Sequence, residues 1–218
     1  MFNSVESTRA GEVALLGEPQ RLAEQLGSPE GAAGFCASPA PLPLEVHDRA
    51  GLRAFLLRYQ AEVLARIELP AIAQAFQHAA RYELAELIAL DQQLAANPFL
   101  HEFAAASRAA GRAQLRRLRP LRDQRLLRRY LEAVEHGQAH GWHTLVYGLV
   151  LALFSVPLRQ GLVNYGRQTL RSLIGSAGRR LELSEAESRV LLEEVTAGLP
   201  GSIEATLAGR TAPRLLVV

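Results

Sequence analysis

The stretch His140–Leu181, HGWHTLVYGLVLALFSVPLRQGLVNYGRQTLRSLIGSAGRRL, decides the fold. From Trp142 to Phe154 it is apolar on every side of a helical wheel. Trp142, Leu145, Val146, Leu149 and Leu153 form one stripe, and Val150, Leu151 and Phe154 cover the remainder. A helix that is apolar all round has to be buried all round. Ahead of Pro157 the apolar run is only about 14 residues, against the roughly 20 that a bilayer requires. The stretch therefore predicts the central helix of a soluble bundle. Pro157 suits the first turn of a second helix, where a missing N–H costs nothing. Along that helix Leu158, Leu162, Tyr165, Thr169, Leu170, Leu173, Ile174 and Ala177 share one face, while Arg159, Asn164, Arg167, Gln168 and Arg171 take the other.

Outward from this pair, the same reading continues. Asp48 can cap a helix whose inner face is Leu52, Phe55, Leu56, Tyr59, Val63 and Ile67. Pro70 marks the first turn of the next helix, which buries Ile72, Phe76 and Ala79; a third carries Leu84, Leu87, Ile88 and Leu94. Asn97-Pro98 is a stop and restart, with Asn97 as cap. The following face, Leu100, Phe103, Ser107, Ala110, Gly111, Gln114 and Leu118, is partly lined by small residues, so a neighbouring helix can approach closely. Arg119-Pro120 breaks the chain again before a helix from Leu121 to His136. Ser184 and Glu187 have capping-box spacing, and Gly198-Leu199-Pro200 punctuates the end of that helix.

Residues 12–26 are expected to form only short helical turns, and Gly27–Pro43, rich in Gly, Pro and Ser, forms a loop. No sustained alternation reads as a sheet. The expectation is an all-α, single-domain multi-helix bundle of about eight to ten helices. It comprises an N-terminal segment 1–47, a helical core 48–208 and a short tail 209–218.

At 218 residues the chain can bury a substantial core. The single cysteine, Cys36, excludes an internal disulfide and agrees with a reducing compartment. The start, MFNSVESTRAGE, has neither the basic nor the apolar region of a signal peptide, which makes the cytoplasm the expected location. All 24 cationic residues are arginine, and the net charge of +2 is unevenly spread. Between Arg108 and Arg129 lie nine arginines and one acid, Asp123, so that segment carries +8 and the rest of the chain −6.

Such a run is first of all a solvated helical face. It could also meet an acidic protein, with Arg112, Arg116 and Arg117 foremost, or bind nucleic acid through residues 108–129 by releasing counterions. No aromatic residue interrupts the arginines, so base stacking is not offered, and a protein partner is the better fit. His136, His140 and His143, near Glu132 and Glu135, would line one side of a continuous helix as a transition-metal site could use. Gly137 and Gly141 argue against that helix, leaving the histidines as capping or solvent-facing groups. Cys36 has no adjacent base to activate it. There is no P-loop lysine, no G-x-S-x-G and no H-E-x-x-H, so nothing assembles a reaction centre.

In their order and spacing, several short motifs resemble those of the urease accessory UreF family. Ser28, Gly34, Phe35 and Ser38 match that family's Ser…Gly-Phe-x-x-Ser loop, and Glu68-Leu69-Pro70 stands for its Asp-x-Pro. Leu90-Asp91 and Ser107…Gly111 also fit. So do His143, Gly148, Val156, Pro157, Leu158, Tyr165, Arg180 and Leu181 in the C-terminal half. The likeness extends from Ser28 to Leu207. The chain departs from the family pattern in four places. Ala37 replaces a histidine, Pro39-Ala40-Pro41-Leu42 replaces Gly-Gly-Leu-Glu, the turn after Arg180-Leu181 lacks a glycine, and the tail is short.

The resemblance implies an all-helical, non-catalytic, dimeric cytoplasmic scaffold that binds UreD (also called UreH) and recruits the GTPase UreG, so that nickel reaches apo-urease. It implies no tightly bound cofactor, nickel being handled by the complex. The residues it points to as partner contacts are Gly34, Phe35, Ser38, Tyr165 and Arg180.

Overall fold

Asp48 starts the first of the described helices: its Oδ1 accepts the Gly51 N–H at 2.7 Å, satisfying one of the amide groups left free at a helix start. The structure, a computed structural model, describes residues 46–118 and 125–209, apart from the side chain of Arg179. The expected turns at 12–26, the Gly27–Pro43 loop, the break at Arg119-Pro120 and the tail beyond Gly209 lie outside the described residues.

Helix α1 runs Arg49–Tyr59 and continues without a break through a wider π-helical segment, Gln60–Glu68, into α2, Leu69–Ala80. The sequence places Pro70 in the first turn of a helix, and it stands as the second residue of α2. The chain enters that helix without a break, with Glu68 and Leu69 both in right-handed helical conformation. Proline offers no N–H to the preceding turn and crowds its carbonyl, and the wider winding just before Pro70 accommodates that loss.

Six α-helices follow α3 (Leu84–Ala96): α4 (His101–Arg117), α5 (Arg125–Glu135), α6 (His143–Leu153), α7 (Leu158–Leu181), α8 (Glu185–Thr196) and α9 (Leu199–Leu207). A 3₁₀ turn, Pro98–Leu100, leads into α4, and Asn97 caps it by accepting the Phe99 N–H at 3.0 Å. The described residues thus contain nine α-helices and no strand, an all-α single domain as predicted.

Every residue of α6 from His143 to Leu151 is buried, as an all-round apolar helix demands. Its most extensive packing is against α2, and its second is against α4. Both contacts depend on glycine. A Cβ at Gly148 would stand 2.5 Å from the Ile72 carbonyl oxygen in α2, and one at Gly111 in α4 would stand 2.1 Å from the Gly141 carbonyl oxygen. Helix α7 lies beside α6, α8 and α9 with Leu162, Tyr165, Thr169, Leu170, Leu173, Ile174 and Ala177 inward, the face its spacing predicts.

Polar links tie early and late helices of the described residues together. Ser184 and Glu187 form the expected capping box at the start of α8. Arg49 pairs with Glu187 at 3.4 Å and Arg53 with Glu194, joining α1 to α8; Arg159 pairs with Glu204, joining α7 to α9. The Gln60 amide, oriented with its nitrogen toward Val195, donates to that carbonyl at 3.0 Å and accepts from the Leu199 N–H at 3.2 Å.

Candidate partner-binding surface

The linker between α5 and α6 positions the most strongly charged surface. Gly137 and Gly141 both adopt positive φ, 75° and 74°, a backbone region that L side chains rarely adopt. The chain there folds back over α3, where Asp91 is fully buried. One carboxylate oxygen accepts the His140 N–H at 2.5 Å. The other accepts the Gly141 N–H at 2.9 Å and the Tyr130 hydroxyl at 2.7 Å. Burial first, and then the Asp91 charge, push the Tyr130 hydroxyl well above its ordinary pKa, so it stays a donor.

Helix α4 grips the same linker from outside. Arg112 Nε donates to the His140 carbonyl at 3.0 Å, and the Arg108 guanidinium lies 4.7 Å from the ring centre of the buried Trp142, a cation–π stack. Ser107 Oγ accepts the His143 N–H at 3.3 Å. Beyond these anchored side chains the arginines face solvent. Arg116 and Arg117 end α4, Arg125 begins α5, and Arg128 and Arg129 follow on its exposed side. Arg128 lies 3.7 Å from Glu132, whereas Arg116, Arg117, Arg125 and Arg129 make no hydrogen bond or ion pair among the described residues.

A second polar centre is internal. Glu68, at the end of the π-helical segment, is buried and accepts the Tyr59 hydroxyl at 2.9 Å. Burial pushes its carboxyl up to about 7, although hydrogen bonds from Tyr59 and Tyr165 pull the other way. Tyr165 in turn stacks with His143 and Tyr147, at ring separations of 5.7 and 5.3 Å.

The residues singled out from the sequence therefore sit in different settings. Arg112, Arg116 and Arg117 share the exposed side of α4, as expected of a surface strip. Tyr165 is 1% exposed and supports Glu68 from α7. Arg180 is exposed and donates to the Val46 carbonyl at 2.6 Å, holding the chain that leads into α1. Gly34, Phe35, Cys36 and Ser38 lie outside the described residues.

The three histidines do not line a helix, because α5 ends at Glu135 and the glycine-bent linker intervenes. His136 Nδ1 donates to the Glu132 carbonyl at 2.7 Å, the His140 backbone is held by Asp91, and His143 is buried among aromatic rings. Among the described residues no three of His, Cys, Asp or Glu gather as a metal-binding group.

Sequence reasoning missed the roles of Asp91 and Glu68. The signal was present: Asp91 falls four residues after Leu87 and three before Leu94, so it is an acid on the apolar face of α3. Buried charge is rare unless it is paired or hydrogen-bonded.

One open groove, of about 180 Å³, runs between α7 and α9 over Val163, Leu199, Pro200 and Ile203, with Arg159, Arg167 and Glu204 at its edge. The remaining features define an all-helical bundle whose buried polar groups act as braces between helices. Its motifs agree with one family in particular. The chain belongs to the UreF family, whose model matches residues 46–196, from just before α1 to the end of α8. That family is a non-catalytic accessory family associated with urease. None of the curated proteins compared with the chain matches it.

Proposed function

We propose that this protein is a urease accessory factor that makes and breaks no bond itself. It joins a UreD-like protein to a UreG-like GTPase so that nickel, the cargo of the complex, is inserted into apo-urease. It works in the cytoplasm as a homodimer and holds no cofactor of its own.

The observation that carries this reading is the family match over residues 46–196, which takes in the buried helix α6 and the helices α2, α4 and α7 that pack on it. Three features agree with it. Asp91, Ser107 and Gly111, which carry part of the motif pattern, all act on the α4–linker–α6 junction. No helix among the described residues is long and apolar enough to cross a membrane. The exposed arginines give a surface that can meet acidic proteins.

The test is urease activity and urease-bound nickel in host cells with and without the gene, together with affinity capture of the tagged full chain. Loss of both activity and nickel on deletion, and co-capture of UreD-like and UreG-like proteins, is the expected result. Undiminished nickel loading without the protein, or capture of neither partner, overturns the reading.

A further inference from the structure

The arginines at the α4–α5 end of the bundle are exposed, and most of them make no pairing that folding requires. Arg125, the first described residue of α5, is exposed. Arg128 and Arg129 follow on its exposed side, and Arg116 and Arg117 close α4 only a short connection away in sequence. Arg116, Arg117, Arg125 and Arg129 are left without partners among the described residues. By contrast Arg49, Arg53, Arg66 and Arg159 each face a glutamate. The face is also firmly mounted, because Arg108 and Arg112 at its inner edge are fixed on Trp142 and the His140 carbonyl.

We infer that this face, centred on Arg116, Arg117, Arg125 and Arg129, docks the carboxylate-rich surface of a protein partner. The inference rests on the scaffold function proposed above and adds to it the face used and the chemistry of what it meets. Guanidinium groups match carboxylates in a two-pronged geometry and are weakly hydrated, which suits an interface. The aromatic residues nearest in sequence, Phe103, Tyr130 and Trp142, are buried, so the face offers no platform for stacked bases. Complementary charge of this kind acts mainly on the association rate and on its dependence on salt.

The experiment uses the full chain and three proteins: wild type, the triple variant Arg116→Glu/Arg117→Glu/Arg129→Glu, and a charge-matched control, Arg58→Glu/Arg171→Glu/Arg189→Glu. All six positions are exposed. Circular dichroism and thermal midpoint verify folding, and Arg→Gln versions stand in for any variant that fails. The probes are a polyglutamate peptide and an RNA oligonucleotide of equal charge, followed by the UreD-like and UreG-like proteins.

The expected result is salt-sensitive polyglutamate binding that falls at least about tenfold in the triple variant and is retained by the control. The same variant slows assembly with one of the two proteins. Equal losses in the triple variant and the control overturn the inference, as does RNA binding tighter than polyglutamate binding. Unchanged assembly in the triple variant also overturns it, while the scaffold function stands. If wild type binds polyglutamate through this face yet assembles with neither protein, the docking face stands and the scaffold function fails.

Discussion

Asp91 in α3 accepts the hydroxyl of Tyr130 in α5 at 2.7 Å, and with its remaining lone pairs takes the His140 and Gly141 amides of the following linker. One buried carboxylate thereby fixes the distance between α3, α5 and the start of α6. The basic face is mounted on that junction, so its geometry depends on a residue that does not touch solvent.

Replacing Asp91 with asparagine keeps the shape but presents an amide donor among groups that are themselves donors. Unfolding in urea should show a loss of about 3 kcal/mol or more, because buried N–H groups lose their acceptor. Tyr130→Phe should lose about 1 kcal/mol. The two changes combined should cost less than their sum, since they share one hydrogen bond.

Gly111→Ala drives a methyl group onto the Gly141 carbonyl and the His143 amide, both backbone atoms that cannot step aside. The expected loss is at least about 2 kcal/mol. Gly175→Ala is the matched control. Nothing lies within 4 Å of a Cβ there, in the middle of α7, so helix propensity should raise stability by about 0.5–1 kcal/mol. Thermal melts of the two variants should move in opposite directions.

Glu68 should make stability depend on pH. Its folded-state carboxyl is raised from 4.5 to about 7, chiefly by burial. A raised pKa means that the folded form holds the proton more tightly. The contribution is therefore complete below about 4.5 and is lost as pH rises through about 7. The loss amounts to about 3 kcal/mol at most. Glu68→Gln, which stays neutral, should flatten this part of the profile. An unchanged slope between pH 5 and about 7.5 in the variant would place the titration elsewhere.

Glu182 ends α7 in the left-handed region, at φ 53° and ψ 38°, a conformation that favours glycine. Glu182→Gly should stabilise the protein by about 1 kcal/mol and raise the melting temperature by about 2–4 °C. This is the turn where the family pattern has a glycine and this chain does not. A lower melting temperature would mean that the glutamate side chain contributes more than its backbone strain removes.

Much of the fold was legible because helical periodicity is local. The buried α6, the inner faces of α1 and α7, the Asp48 and Asn97 caps and the Ser184–Glu187 box all follow from residue spacing within a few turns. The small-residue face of α4 was legible too, as a promise of close approach that Gly111 keeps. Pro70 was legible as part of the first turn of α2, but the unbroken passage from the π-helical segment into that helix was not, since the local chemistry permits either a new helix or a wider winding of the old one. The candidate surface was half legible. The arginine run is plain in the sequence, but Arg108 and Arg112 are anchors against residues far along the chain, and of the run's described arginines Arg116, Arg117, Arg125 and Arg129 are the ones left free among the described residues.

By itself the amino-acid order determined that this chain is helical, which helix is innermost, and where its positive charge collects. Those properties depend on neighbours one to four residues apart. Only the tertiary structure decided that Asp91 and Glu68 are interior, that Tyr165 supports the core, and that three nearby histidines take three separate roles. The reason is that burial and hydrogen-bond partnership are set by residues distant in sequence. Asp91 meets its partners 39 and more positions away, and no local pattern specifies which groups arrive there.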